Sequence, residues 1–412
     1  MGEQAGRRII EVHAGIVQPA APRLKSVQLR TRSDFPRVSS VYLDAAELFS
    51  SPTLMGPPLC EELIALVQHL FSEEEAGLVR HLRLLRGRSA EELARAEIRP
   101  LDQVTALLDR LANAKRAIAA SGPAGKERYR VLPIVPGMFE MILIGHTPET
   151  LTNWHRRFVE LFEALFDTGY SLDYRGMGVP SVRFLPIGKA IEGHPMALPS
   201  DKLEVVLDRY EVFGIGQCQC RQAMNVLGKG CGKPLGNCTV MGQWAERGIE
   251  AGWLQKVSKR EAIEIKREAE SHGLVNWMMN VASSKGQSSC SCCGCCCHAM
   301  RMVNEFNAPG ALAPPHFLPK VDTAKCNYCG KCARSCPMGG IRIDQAQKKY
   351  EHLRERCIGC GLCKLACDHR QAIVMEAVPS YDLPYRSWFS FLMHAAPSVA
   401  KTAWKVWRQR RP

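Results

Sequence analysis

Long apolar runs are missing from this chain. The longest weakly polar stretch, Phe389 to Ala400, contains Pro397 and is too short for a helix that crosses a bilayer. Met1 to Arg8 holds no apolar core of the secretory type, so export is not expected. Residues 1–40 carry seven basic and three acidic residues, a bias shared with transit peptides that Glu3 and Glu11 argue against. The P-loop, the dinucleotide-binding G-x-G-x-x-G and the H-E-x-x-H signature are all absent, which removes the commonest nucleotide-dependent and zinc-hydrolase chemistries. Acidic residues are in deficit: 41 Asp and Glu against 54 Lys and Arg leave a formal charge of +13, which suits an acidic protein, nucleic acid or an anionic membrane surface. Cysteine is scarce too, but only at first. The first 217 residues contain Cys60 alone, and the other eighteen of the 19 cysteines lie between Cys218 and Cys367.

That distribution excludes a secreted disulfide scaffold. The count is odd, and Cys290 to Cys297 crowds six thiols into eight residues, too densely for each to find an unstrained partner. A reducing compartment, the cytoplasm, is expected. With 412 residues and 46% hydrophobic content, the chain is long enough for several folded domains.

The expected class is α+β and multidomain. Residues 1–55 are rich in Arg, Pro and Ser and read as an extended arm. Residues 56–145 place apolar residues at helical spacing: Leu63, Leu66, Val67 and Leu70, then, beyond a break near Ser72, Leu78, Leu82 and Leu85. Ser89 is a candidate N-cap, and another helix runs through Val104, Leu107, Leu108 and Leu111. A turn at Gly122 to Gly125 precedes Val131 to Val135, and helices followed by a hairpin suggest a winged helix-turn-helix. Residues 146–299 read as an α/β domain with cysteine-rich loops. It contains an amphipathic helix bearing Trp154, Phe158, Leu161, Phe162 and Leu165, a strand near Val182, and a helix capped by Ser200 or Asp201. A further helix opens at Ser258 and ends at Gly273. Residues 300–319 contain four prolines and read as a linker. Residues 320–378 form the next domain, and residues 379–412 a basic amphipathic tail.

The chemistry is concentrated in an internal repeat. Cys326-x2-Cys329-x2-Cys332-x3-Cys336-Pro337 recurs 31 residues later as Cys357-x2-Cys360-x2-Cys363-x3-Cys367. Two residues between thiolates let a tight loop wrap three corners of a [4Fe–4S] cubane, with the fourth cysteine reaching the other cluster. Cys326, Cys329, Cys332 and Cys367 are thereby assigned to one cluster, and Cys357, Cys360, Cys363 and Cys336 to a second. Gly330 and Gly361 supply the dihedral freedom these loops need. Two zinc knuckles are the competing reading, although zinc sites rarely add a third cysteine at the next two-residue interval.

Residues 320–376 thus resemble a bacterial two-cluster [4Fe–4S] ferredoxin domain. Asp368 stands where that family usually has proline, and an extra residue precedes Ala372; neither position supplies a ligand. The resemblance implies electron transfer between neighbouring clusters without bond chemistry. The segment carries eleven Lys and Arg against six Asp and Glu, so a redox partner with an acidic docking surface is expected.

Ten upstream cysteines remain. Cys218-x-Cys220-Arg221, Cys231 and Cys238 lie on a glycine-rich loop whose four thiols suffice for a further cluster, with Arg221 offsetting its negative charge. In the run Cys290, Cys292, Cys293, Cys295, Cys296 and Cys297, contiguous residues cannot all reach one cubane, so only some are expected as ligands, the rest crossing over to the first group. One or two additional [4Fe–4S] clusters are expected from the ten; zinc and free thiols are the alternatives. His298 is read as a surface residue rather than a ligand, and Cys60 as a small buried apolar one. The C-x-C-R loop, the cysteine run and Leu132 to Glu140 together are similar to a family of multi-cluster iron–sulfur proteins, mostly from anaerobic microbes, with a winged-helix-like N-terminal region.

The leading expectation is an iron–sulfur electron-transfer protein serving a partner oxidoreductase rather than a catalyst on its own. A redox-sensing DNA-binding regulator is the alternative, and an enzyme with an open cluster site between Cys218 and Cys297 a third. Outward residues of the Leu101 to Ala114 helix mix Asp102 and Asp109 with Arg110, Asn113, Lys115 and Arg116, which disfavours DNA; the wing residues Lys126, Arg128 and Arg130 are better placed for phosphate. In the tail, Val399, Ala403 and Val406 share one helical face while Lys401, Lys405 and Arg408 share another, beside Trp388, Trp404 and Trp407. Such a helix suits either peripheral contact with an anionic membrane or packing on the protein.

Overall fold

The computed structural model describes residues 9–123, 125–283, 285–308, 310 and 312–410; Met1 to Arg8 lie outside the described residues. The fold is α+β and divides into two compact units, one of residues 25–174 with 399–412, the other of residues 1–24 with 175–398.

The first unit is mostly helical. Ser72 and Ser89 begin the helices Glu73–Val79 and Ala90–Glu97. Each hydroxyl accepts a bond from the amide three residues on, and the glutamate there reaches back to the serine amide. These reciprocal boxes satisfy amides that have no partner within the helix. Leu63, Leu66, Val67 and Leu70 of the helix Glu61–Leu70 are buried, as are Leu78 and Leu82, whereas Leu85, beyond the helix that ends at Val79, is exposed. The helices Ala90–Glu97 and Leu101–Asp109 precede the hairpin Ile118–Ser121 with Arg128–Val131. Basic side chains around it are engaged locally: Arg110 and Lys115, ahead of the hairpin, pair with buried Glu75, and Arg128 of its second strand pairs with Glu92. Phe158 and Phe162 of the helix Asn153–Asp167 pack on Phe139.

The second unit carries eighteen of the cysteines. Its six-stranded antiparallel sheet has the spatial order Val182–Leu185, Val275–Met279, Gly286–Cys292, Cys238–Gly242, Phe213–Gly216, Gln255–Val257. Cys238 and the run from Cys290 thus lie on neighbouring central strands. The helix Lys259–Ser271 starts at Ser258 and ends before Gly273, at φ +67°. Neither Ser200 nor Asp201 caps a helix in the expected way: Asp201 accepts a bond from Leu198 and pairs with buried His316, and the helix Leu203–Leu207 follows Lys202.

Three segments differ from their sequence reading. Within the arm, Ile10–His13 and Ile16–Pro19 form a hairpin, and Ile16 and Val17 pair with the strand Ile341–Asp344, giving a four-stranded sheet with Lys349–His352. Within the proline-rich linker, the helix His298–Phe306 and the strand Phe317–Val321 form; that strand pairs along its whole length with Ile373–Ala377. Residues Trp388–Gln409 form one helix containing Pro397, and no helix of the described residues is long and apolar enough to cross a membrane.

Candidate metal centres

The repeat folds as two short loops, each ending in a helical turn. Gly330 and Gly361 take φ of +75° and +81° and start the turns Lys331–Ser335 and Leu362–Leu365, so each loop reverses immediately after its second cysteine. A side chain at Gly361 would also meet the Ala190 methyl at 2.3 Å. Gln371, which falls at the residue extra to the ferredoxin pattern, takes φ +47° before the closing strand.

These loops bring the eight thiols into two sets. Cys332 has Cys326, Cys367 and Cys329 as its thiol neighbours; Cys363 has Cys360, Cys336 and Cys357, with Cys332 beyond them. Backbone amides point at the sulfurs: Tyr328 donates to Cys326 at 3.4 Å and Gly340 to Cys336 at 3.2 Å. Burial pushes the Cys332 and Cys357 thiols up to about 12, so thiolates there need the positive charge of a metal. Two buried polar atoms have no partner among the described residues. The Tyr350 hydroxyl stands near Cys363, Cys332, Cys357 and Cys336, thiols of both sets. The His352 Nε2 belongs to a side chain that lines a cavity together with Cys336, Cys357, Cys360 and Cys363. Both are donors for sulfide, and their isolation fits a cluster-filled cavity. Cys329 is exposed, so the first set reaches the surface.

Upstream, the glycine-rich loop does not keep its four thiols together. Cys231 lies 3.9 Å from Cys293 and gathers with Cys293, Cys295 and Cys296, all four sulfurs within 4.8 Å of one another. Cys238 faces Cys290 at 3.8 Å. Cys220 neighbours Cys297, and Cys292 touches both Cys290 and Cys297. Cys218 is buried and touches no other thiol among the described residues; burial pushes its thiol up to about 12. Arg221 is fully buried, bonding to the carbonyls of Pro234 and Ser291 and to Asn237, with its guanidinium 4.0 Å from the Cys293 sulfur. Lys266, which the sequence did not single out, is completely buried and bonds to Ser289 and Ser291 of the cysteine-bearing strand. His298 is buried too, contrary to its reading as a surface residue. It opens the helix after Cys297, and this places its Nδ1 3.3 Å from the Cys220 sulfur. Cys60 is buried among apolar side chains in the other unit, as expected.

With this geometry in place, the comparisons define the class. Residues 318–368 match the family model of the 4Fe-4S dicluster domain. The chain is therefore an iron–sulfur protein that carries a ferredoxin domain with more than one [4Fe–4S] cluster. It is 32% identical to the electron transport protein HydN of Escherichia coli over 101 residues, 22% of this chain and 55% of that protein. It is 35% identical to an uncharacterised ferredoxin of Methanocaldococcus jannaschii over 91 residues, 21% of this chain and 51% of that one. The chain spans about half the length of these curated relatives, and no solved structure matches it.

Proposed function

We propose that the protein is an electron carrier: electrons enter or leave at the exposed Cys329 end of the dicluster domain and pass between its clusters and an iron–sulfur centre of residues 218–297. The carrying observation is the pair of four-thiol sets linked across the repeat, with Tyr350 near both. In this assignment Cys326, Cys329, Cys332 and Cys367 hold one cluster, and Cys357, Cys360, Cys363 and Cys336 the other. The bound clusters supply the redox change. The residues hold them apart from water, aim amides at their sulfurs and set their potentials by hydrogen bonding and burial. The similarity to an electron transport protein supports the same reading.

The partner is a redox protein with an acidic surface around its own entry point, matched to the +5 excess of residues 320–376. The exposed Trp404 and Trp407 beside Lys401, Lys405 and Arg408 support peripheral contact with an anionic membrane. The test is iron and acid-labile sulfide per chain after anaerobic purification, with electron paramagnetic resonance of the reduced protein. At least about eight irons and a spectrum of two interacting clusters are expected. Zinc in the eight-thiol repeat in place of iron would overturn the reading.

A further inference from the structure

Building on that reading of residues 218–297, we propose that their thiols form two metal centres of unequal nuclearity. Cys231, Cys293, Cys295 and Cys296 bind a single tetrathiolate ion, zinc. Cys220, Cys238, Cys290, Cys292 and Cys297 supply the ligands of an iron–sulfur cluster.

The spacing of the sulfurs separates the two. A zinc ion with Zn–S bonds of about 2.3 Å holds its four sulfurs at the corners of a tetrahedron with edges of about 3.8 Å. Cys295 and Cys296 are 3.6 Å apart, Cys231 and Cys293 3.9 Å, and all four sulfurs lie within 4.8 Å of one another. The dicluster domain supplies an internal yardstick. Among its eight thiols no three gather within that distance, as expected where each thiolate binds a different iron of a cubane. The second upstream set shares the lack of a tight trio, although its neighbouring sulfurs come closer, Cys238 and Cys290 at 3.8 Å. Its thiols run as a chain of neighbours, Cys238 to Cys290 to Cys292 to Cys297 to Cys220, with no three in the tight arrangement. One ion cannot reach more than neighbouring pairs of them, whereas a polynuclear cluster spans the set.

Strand geometry explains the sorting. Cys290 and Cys292 are two apart on the strand Gly286–Cys292 and share a face, while Cys293, just past the strand's end, joins the core of Met224 and Leu274. The surroundings differ as well. Cys290, Cys292 and Cys297 belong to the same apolar core as Cys336 and Cys360 of the dicluster domain, placing that centre beside a redox cluster. The quartet packs in another core with Met224, Ala269 and Leu274, which Cys220 borders from the neighbouring set, a position suited to a structural ion. Among the described residues no carboxylate makes an ion-pair contact with buried Arg221 or Lys266, and anionic metal–thiolate centres would supply their counter-charge.

The experiment is iron, sulfide and zinc analysis of the anaerobically purified full chain, of the double variant Cys231→Ser/Cys296→Ser, and of Cys238→Ser/Cys290→Ser. The wild type is expected to hold about twelve irons and about one zinc. The first variant should lose the zinc and keep its iron; the second should lose about four irons and keep its zinc. Zinc-edge X-ray absorption of the wild type needs no variant and should give about four sulfurs at about 2.3 Å, which decides the matter if either variant fails to fold. About sixteen irons without zinc, or loss of about four irons from the first variant, would overturn the proposal. A wild type whose dicluster signal is itself absent would instead overturn the electron-carrier reading.

Discussion

Gly294 packs directly on the carbonyl of Pro337. A methyl group on Gly294 would stand 1.8 Å from that oxygen, closer than any real contact. Gly294 lies inside the upstream cysteine run and Pro337 follows Cys336 of the repeat, so the backbone of one cysteine-rich segment rests on the other. Gly294→Ala is expected to displace the two segments, with a stability loss at or above the usual overpacking range of about 1–3 kcal/mol. Iron analysis should show lowered occupancy at both; unchanged melting and metal content would refute the contact.

Asn304 fastens the same junction. Its amide nitrogen donates to the carbonyls of Gly294 and Pro337 at 3.0 and 2.9 Å, and its oxygen accepts from Arg356. Asn304→Leu, close in volume, leaves both buried carbonyls without this donor and should cost about 2–4 kcal/mol. Chemical denaturation under anaerobic conditions measures it, and a loss below about 1 kcal/mol would mean that the two carbonyls find other donors.

Tyr350 offers a test that leaves the fold alone. Its hydroxyl has no partner among the described residues, so Tyr350→Phe should be neutral or stabilising in the apoprotein. With clusters bound, removal of a donor to sulfide should shift at least one potential negative by tens of millivolts. A redox titration with unchanged potentials would show that the hydroxyl faces away from both clusters.

The other unit carries a pH-sensitive cap. His155 Nδ1 accepts from the Thr152 amide at the start of the helix Asn153–Asp167. Burial, followed by the neighbouring His146, depresses the His155 imidazole to about 4. The unfolded chain therefore binds a proton that the folded one does not between about pH 6.5 and 4, and stability should fall as pH drops through that window, by about 1–2 kcal/mol once solvent screening of the half-buried ring is allowed for. His155→Gln keeps an acceptor at the capping position and removes the titration, so its melting temperature should vary less with pH there. Identical profiles for the two proteins would contradict this.

What the sequence revealed was local. Ser72 with Glu75 and Ser89 with Glu92 announce helix starts by spacing alone, and the cysteine intervals announce the two loops of the dicluster domain. What it concealed depends on distant partners. Ile16 and Val17 lack strand periodicity of their own because their hairpin is completed by Ile343 and Asp344, more than 300 residues away. His298 reads as a surface residue until the fold brings Cys220 to its ring. Cys290, Cys292 and Cys297 join one core while Cys231, Cys293, Cys295 and Cys296 join another, and no interval in the sequence encodes that.

The central claim is reversible storage and delivery of electrons by clusters in the dicluster domain. The most direct measurement reduces the anaerobic protein fully and titrates it with a one-electron oxidant while iron content is followed. Return of at least about two electrons per chain with no loss of iron is the predicted result. Fewer than one electron per chain, or release of iron at each cycle, would contradict it.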